Sequence, residues 1–218
     1  MESVLTEAVA LLDEAGPSAL TFRSLAQRLG GGVASVYWYV ASKDELLDRA
    51  TDHVIGGVLA DIEALKPADD PIDDLRAMSL TLFDAILVRP WLGNYFMRNT
   101  DVQGNAPRLY AKLGQPILRL NLTARQRFHA VSAITTVVVG SAVDLGQEPP
   151  REVLDGAVGR DEFLGRFAAT WRELDAKAWG PNNTWCNRNK PCSKANNVFA
   201  EVMWSLFANN ISWYAPRW

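Results

Sequence analysis

Tyr37, Trp38 and Tyr39 stand side by side, with Lys43 four residues further on. On a helix, three consecutive side chains point about 100° apart, so no single core face takes all of them. At least one must face solvent or a partner. Two phenols, an indole and an ammonium are groups for binding rather than for breaking bonds. Catalytic candidates are scarce elsewhere. The two histidines, His53 and His129, sit in no recognisable metal-ligand or nucleophile motif. Cys186 and Cys192, within WCNRNKPCSK, have no histidine beside them and do not form a zinc pattern. They read as loop thiols, with a disulfide or a redox role as the alternative. Nothing calls for a cofactor or a metal.

The elements that position the aromatic triplet are short helices. Val4, Ala8, Leu11, Leu12 and Ala15 form an apolar stripe at three- to four-residue spacing, ended by Gly16-Pro17. Thr21 is placed to cap a second helix, FRSLAQRL, with Leu25, Ala26 and Leu29 as its inner face. Glycines 30–32 permit a sharp reversal, and residues 33–39 read as a third helix. Ser42 and Glu45 have capping-box spacing. Behind them Leu46, Leu47, Ala50, Val54 and Val58 carry a longer helix to about Lys66.

Two short helices joined by a tight turn, then a capped long helix, make a helix-turn-helix pattern. Its second helix fits the major groove of DNA, which is about 12 Å wide. Bulk charge does not announce such a partner. The net charge is −3, and residues 1–50 hold four basic and seven acidic side chains. A DNA contact must come from local placement. The N-terminus has no secretory character, and the longest apolar-rich run, AITTVVVGSAV, is too short to span a bilayer, so a cytoplasmic protein without a membrane partner is expected.

The segment LTFRSLAQRLGGGVASVYWYVASKDELLDRA resembles the N-terminal DNA-binding domain of the TetR (tetracycline repressor) family of transcriptional regulators. Thr21, Arg23, Leu25, Ala26, Leu29, Gly30, Val36, Tyr37, Trp38, Tyr39 and Lys43 carry the likeness, which covers residues 4–55 closely. It implies that Tyr37 and Tyr39 put hydroxyls on phosphate oxygens, that Trp38 packs beside the backbone, and that Lys43 adds a charge-assisted phosphate contact. Base reading would fall to Arg23, Val33, Ala34 and Ser35, with Thr21 at the helix start in the same DNA-binding set. Gly31 and Gly32 depart from the family, which usually carries a larger residue and often a polar one there. The bland alternatives are a Trp38 or Tyr39 that plugs a gap between helices, a solvated Lys43, and an Arg23 paired with an acid.

The remainder reads as helical: one helix from residue 71 to near Arg89-Pro90, a short helix or turn in WLGNYFMRN, and another helix over 105–120. Thr123 would cap a further helix with Phe128, Val131, Ile134, Val138, Ala142 and Leu145 as its stripe. A loop follows over 146–160, with helices at 161–177 and 196–209. The expected fold is all-α, with a three-helix DNA-binding domain over 1–48 and a helical regulatory, ligand-binding and dimerisation domain over 49–218. Within the latter, 179–218 is compositionally unusual, holding eight of twelve asparagines and five of eight tryptophans.

The resemblance implies a homodimer on a near-palindromic operator, released by a small apolar or aromatic effector. Candidate dimer residues are Val137, Gly140 and Ser141 on one helix and Val202 and Leu206 on another. Phe83, Trp91, Tyr95, Phe96, Tyr110, Phe128, His129 and Trp171 are candidates for an aromatic pocket, each with plain core as its alternative. Leu59 stands where the family's tetracycline-contacting histidine falls, which argues against a tetracycline site of the usual kind. The competing readings are a helical enzyme or small-molecule-binding protein without a DNA role, and a helical interaction protein that docks a partner through its tail.

Overall fold

A computed structural model of the chain describes residues 1–147 and 151–159 together with Glu162, Phe163 and Arg166. The expected helix at 196–209 and all but those three residues of the one at 161–177 lie outside the described residues. Every described element is helical, with no strand among them. The order is α1 (Glu2–Ala19), α2 (Phe22–Arg28), α3 (Val33–Tyr37), α4 (Lys43–Glu63), α5 (Pro71–Leu87), α6 (Pro90–Tyr95), α7 (Asn105–Gly114), a 3-10 turn (Pro116–Arg119), α8 (Ala124–Leu145) and α9 (Arg151–Leu154). Residues to Gly146 belong to one compact unit, and Gln147 opens a second, which contains α9 and an ion pair between Arg166 and Glu152.

Local chemistry explains most boundaries. Gly16 leaves the helix at φ +72°, and Pro17 restarts a last turn. Thr21 and Thr123 each accept a hydrogen bond from the N3 amide, and the N3 side chains, Ser24 and Gln126, each accept one from the cap amide. At Ser42 the expected box is altered. Ser42 accepts from the Glu45 amide, but the Glu45 carboxylate reaches past the cap to the Ala41 amide at 2.8 Å. Pro71 and Pro90 open α5 and α6 at the position where a missing N–H costs nothing. The 105–120 segment divides in two, α7 and the 3-10 turn, because Pro116 cannot continue the ladder.

The head is cored by Leu11, Leu12, Leu25, Ala26, Val36 and Leu46, all buried. Ala15 is exposed, since it follows the last turn of α1 that faces α4. Along α4 the inner residues are Leu47, Ala50, Ile55, Leu59 and Ile62, while Val54 is only half-buried. The apolar face turns along the helix because its neighbours change, from α1 to α5 and α7. The body is built on α5 against α8, with Phe83, Leu82 and Ile86 meeting an α8 face of Ile134, Val138 and Ala142. Each such side chain contributes about 1.5–3 kcal/mol by leaving water. Gly93 seats α6 in this layer, where a Cβ would collide with the Val143 methyl and crowd Ile86. Phe128, expected to head the α8 stripe, is 63% exposed.

Candidate nucleic-acid interface

Two helices and their turn hold the candidate residues. The Ser24 hydroxyl also donates to the Ala19 carbonyl at 2.9 Å, so the start of α2 is tied to the end of α1. This fixes the second residue of α2, Arg23, on the outside. Leu29, Gly30 and Gly31 close α2: the Gly31 amide bonds the Ala26 carbonyl and the Gly30 amide bonds that of Gln27. That is the Schellman arrangement, and its left-handed position is Gly30 at φ +66°. A side chain at Gly31 would press on the Ser35 hydroxyl, 3.2 Å from a built Cβ. The bare turn thus leaves the start of α3 open.

Val36 and Val40 plug the head, each no more than 2% exposed. That anchoring forces the aromatics between them outward. Trp38 is 88% exposed, Tyr37 59% and Tyr39 42%. Trp38 is therefore not a plug between helices. Tyr37 leans edge-on against Phe22, centroids 4.7 Å apart, so its ring is held while its hydroxyl stays free to bond outward. Val33, Ala34 and Ser35 lie on the exposed start of α3. The Ser35 hydroxyl donates to the Gly32 carbonyl at 2.6 Å, which leaves its lone pairs for an incoming donor.

Charge is sorted across the head. Arg28 pairs with Glu14 and Glu7, and these carboxylates, Glu14 first, raise its pKa. Arg49 pairs with Glu45, whose pKa is lowered first by the Ala41 amide and then by Arg49. Arg89 takes Asp13, and Arg98 takes Asp44 and Asp48. Of the seven acids in residues 1–50, only Glu2 has no cation among the described residues. Arg23 and Lys43 have no acidic partner among them either, so the net negative head presents two unspent cations. Lys43 sits in the first turn of α4, where the helix dipole prefers an anion. A phosphate bound there resolves that mismatch.

A polar clamp joins the head to the body, and the sequence reading did not find it. Asp48 is 3% exposed, yet it accepts from Arg98 at 2.9 Å, Asn99 at 3.2 Å and Gln103 at 3.1 Å. Arg98 also donates to the Asp44 carbonyl and lies over the Tyr95 ring. One turn on, Asp52 accepts from the Asn105 amide and side chain. Met97, at φ +56°, bends the chain into this clamp. Asp13 adds a second tie, accepting from Arg89 and from the Trp91 indole at 2.8 Å. Asp44, Asp48 and Asp52, four residues apart, were the available signal of a polar stripe on α4.

The aromatic pocket candidates fall at several places among the described residues. Phe83 and Trp91 are buried core, and Tyr95 and Phe96 lie half-buried at the end of α6. Tyr110 and Phe128 line one hollow together, His129 is exposed, and Trp171 lies outside the described residues. Val137 and Ser141 are half-buried and Gly140 is exposed on the outer side of α8, and Val202 and Leu206 lie outside the described residues. No acid, histidine or cysteine cluster able to hold a metal occurs among the described residues, and no described helix is long and apolar enough to cross a membrane.

The bare turn, the outward aromatics and the two unspent cations define a helix-turn-helix protein of the DNA-binding class. Residues 4–50 match the family described as bacterial regulatory proteins, tetR family. The solved transcriptional regulator SCO7222, a TetR from Streptomyces coelicolor, is 30% identical, covers 96% of each chain and superposes with a TM-score of 0.63. An HTH-type transcriptional regulator of Saccharopolyspora erythraea is 37% identical over 41% of this chain and 37% of its own. The HTH-type transcriptional repressor DrrR1 of Streptomyces coeruleorubidus is 28% identical over 65% of this chain and 52% of its own. The matches thus span from about a third to about half of those two curated relatives. The chain belongs to the TetR family of transcriptional regulators, whose members here are DNA-binding regulators and not enzymes.

Proposed function

We propose that the protein is a repressor that binds a near-palindromic operator as a homodimer and is released by a small apolar or aromatic effector. Residues 1–48 act as the DNA-binding domain, and 49–218 as the regulatory and dimerisation domain. The observation that carries this reading is the head's charge sorting. Among the described residues Arg23 and Lys43 stay without an acidic partner beside three exposed aromatics, while Arg28 and Arg49 are spent on acids. A head built only for packing has no reason to expose Trp38. The repressor name borne by a relative, DrrR1, agrees with the proposed sign of control.

In this reading Tyr37, Tyr39 and Lys43 hold phosphates, and Trp38 lies along the sugar-phosphate backbone. Arg23 makes a bidentate contact to guanine, Ser35 accepts from a base, and Val33 and Ala34 meet thymine methyls. Thr21 acts indirectly, by capping the helix that carries Arg23. Val137, Gly140 and Ser141 face the second copy, which brings the two heads to successive major grooves about 34–36 Å apart. The effector acts by its difference in affinity between the operator-bound and released arrangements. The protein works where the chromosome is, in the cytoplasm.

Selection of binding sites from random duplex DNA, repeated at two salt concentrations, tests the proposal. A two-fold symmetric site should emerge, with affinity falling as salt rises. Recovery of no preferred sequence at either salt overturns it.

A further inference from the structure

Residues 102–143 contain no aspartate and no glutamate, in a chain with 25 acids and a net charge of −3. Five cations lie in that stretch. Arg119 is spent on Asp74, while Arg108 bonds Asn105 and Arg125 bonds His129. Lys112 and Arg127 have no acidic partner among the described residues. The segment folds as α7, the 3-10 turn and α8, and between them lies an open hollow of about 180 Å³. Its walls include Tyr110, Leu118, Phe128 and Val131, with Arg127 among them. Leu118 and Phe128 are 53% and 63% exposed, so two of its apolar walls face solvent. The Arg127 Nε is buried and has no hydrogen-bond partner among the described residues. An unpaired guanidinium nitrogen out of water is costly, and an apolar wall beside it gives no relief.

We propose that this hollow binds a small organic monoanion, a carboxylate on a single aromatic ring, with Arg127 taking the carboxylate and Phe128, Leu118 and Tyr110 taking the ring. Size and charge set the class. An apolar cavity of about 150 Å³ holds benzene, so this one holds one ring and little more. One lining guanidinium matches one carboxylate in the forked geometry, whereas a phosphate dianion would leave charge against apolar walls. The Tyr110 hydroxyl is held by Ser132 at 2.8 Å, which fixes the ring wall in place. That such an acid is the effector rests on the repressor reading; that it binds here does not.

Calorimetry on the full chain, without DNA, compares benzoate and 3-phenylpropanoate with their neutral amides. The acids should bind below about 10 mM, and each amide at least about tenfold more weakly, the scale of one charge-assisted hydrogen bond. Arg127→Gln should bring the acids down to the amide level, and Arg127→Lys should restore part of the difference. Phe128→Ala should weaken acids and amides alike and leave the oligomeric state unchanged. Equal binding of acid and amide, no binding of the acids, or full acid binding by Arg127→Gln each overturns the site. So does conversion of the oligomer to a smaller species by Phe128→Ala, which would make the hollow an interface between copies. Should Arg127→Gln not fold, the acid-to-amide ratio in the unaltered chain and in Arg127→Lys still decides. Failure to enrich an operator would sink the repressor reading and leave these titrations untouched.

Discussion

Arg23 and Lys43 are available because their neighbours are not. Glu14 and Glu7 are held by Arg28, and Asp44 and Asp48 by Arg98, so these acids do not fold back onto either cation. This separates two kinds of DNA contact by their expected loss. Arg23→Ala should cost about 1–3 kcal/mol on the selected operator and relax the preference at one position per half-site. Lys43→Ala should weaken binding to all sequences alike and reduce the salt slope by about one per head, measured by titration across salt concentrations. If Arg23→Ala weakened all sequences equally, its assignment to a base would fall. The aromatic triplet was legible in the sequence because three adjacent directions cannot share one core. The pairing of Arg28 was not, since Glu14 lies fourteen residues away and meets it only once α1 and α2 pack.

At the scale of the element, α4 carries the head's orientation. Its capped start was readable because Ser42 and Glu45 act within four residues. Its hold on the body was not, because Asp48 meets Arg98, Asn99 and Gln103 across fifty or more residues of chain. Periodicity marks apolar faces and passes over a buried aspartate. It also marks a face without saying how far the neighbours extend along it, which is why Phe128 reads as inward yet lines a hollow. Asp48→Ala should destabilise the fold by about 2 kcal/mol in urea titration, less than a fully buried pair because Arg98 is 34% exposed. It should also free α4, seen as faster amide exchange over its first two turns. The Glu45 carboxyl gives a pH signature. Its pKa is lowered in the folded chain, so the stability it adds is present above the ordinary glutamate range and is lost as pH falls through the lowered value. Thermal melts should therefore show Glu45→Gln losing less stability than the unaltered chain between pH 5 and pH 3, about the range of carboxylate titration.

For the whole molecule, the proposed dimer places a demand on α8 that its own chain does not. Gly93 and Gly146 are the small residues that allow close packing inside the chain; a Cβ at either meets neighbouring atoms at once. Gly140 differs, because a Cβ there meets nothing within 4 Å among the described residues. Ala142, two positions on, belongs to the inner stripe of α8 and is fully buried, since neighbouring positions on a helix face about 100° apart. Gly140→Arg therefore separates assembly from folding. The helical circular dichroism spectrum should be preserved, because among the described residues the new side chain enters open space. In an interface it would bury an unpaired charge, which strongly disfavours association. Sedimentation should show a monomer where the unaltered chain is a dimer. Operator affinity should fall by orders of magnitude, since one head alone loses the second half-site and the effective concentration that links the two. A dimer that survives Gly140→Arg with full operator affinity would move the interface off this face of α8.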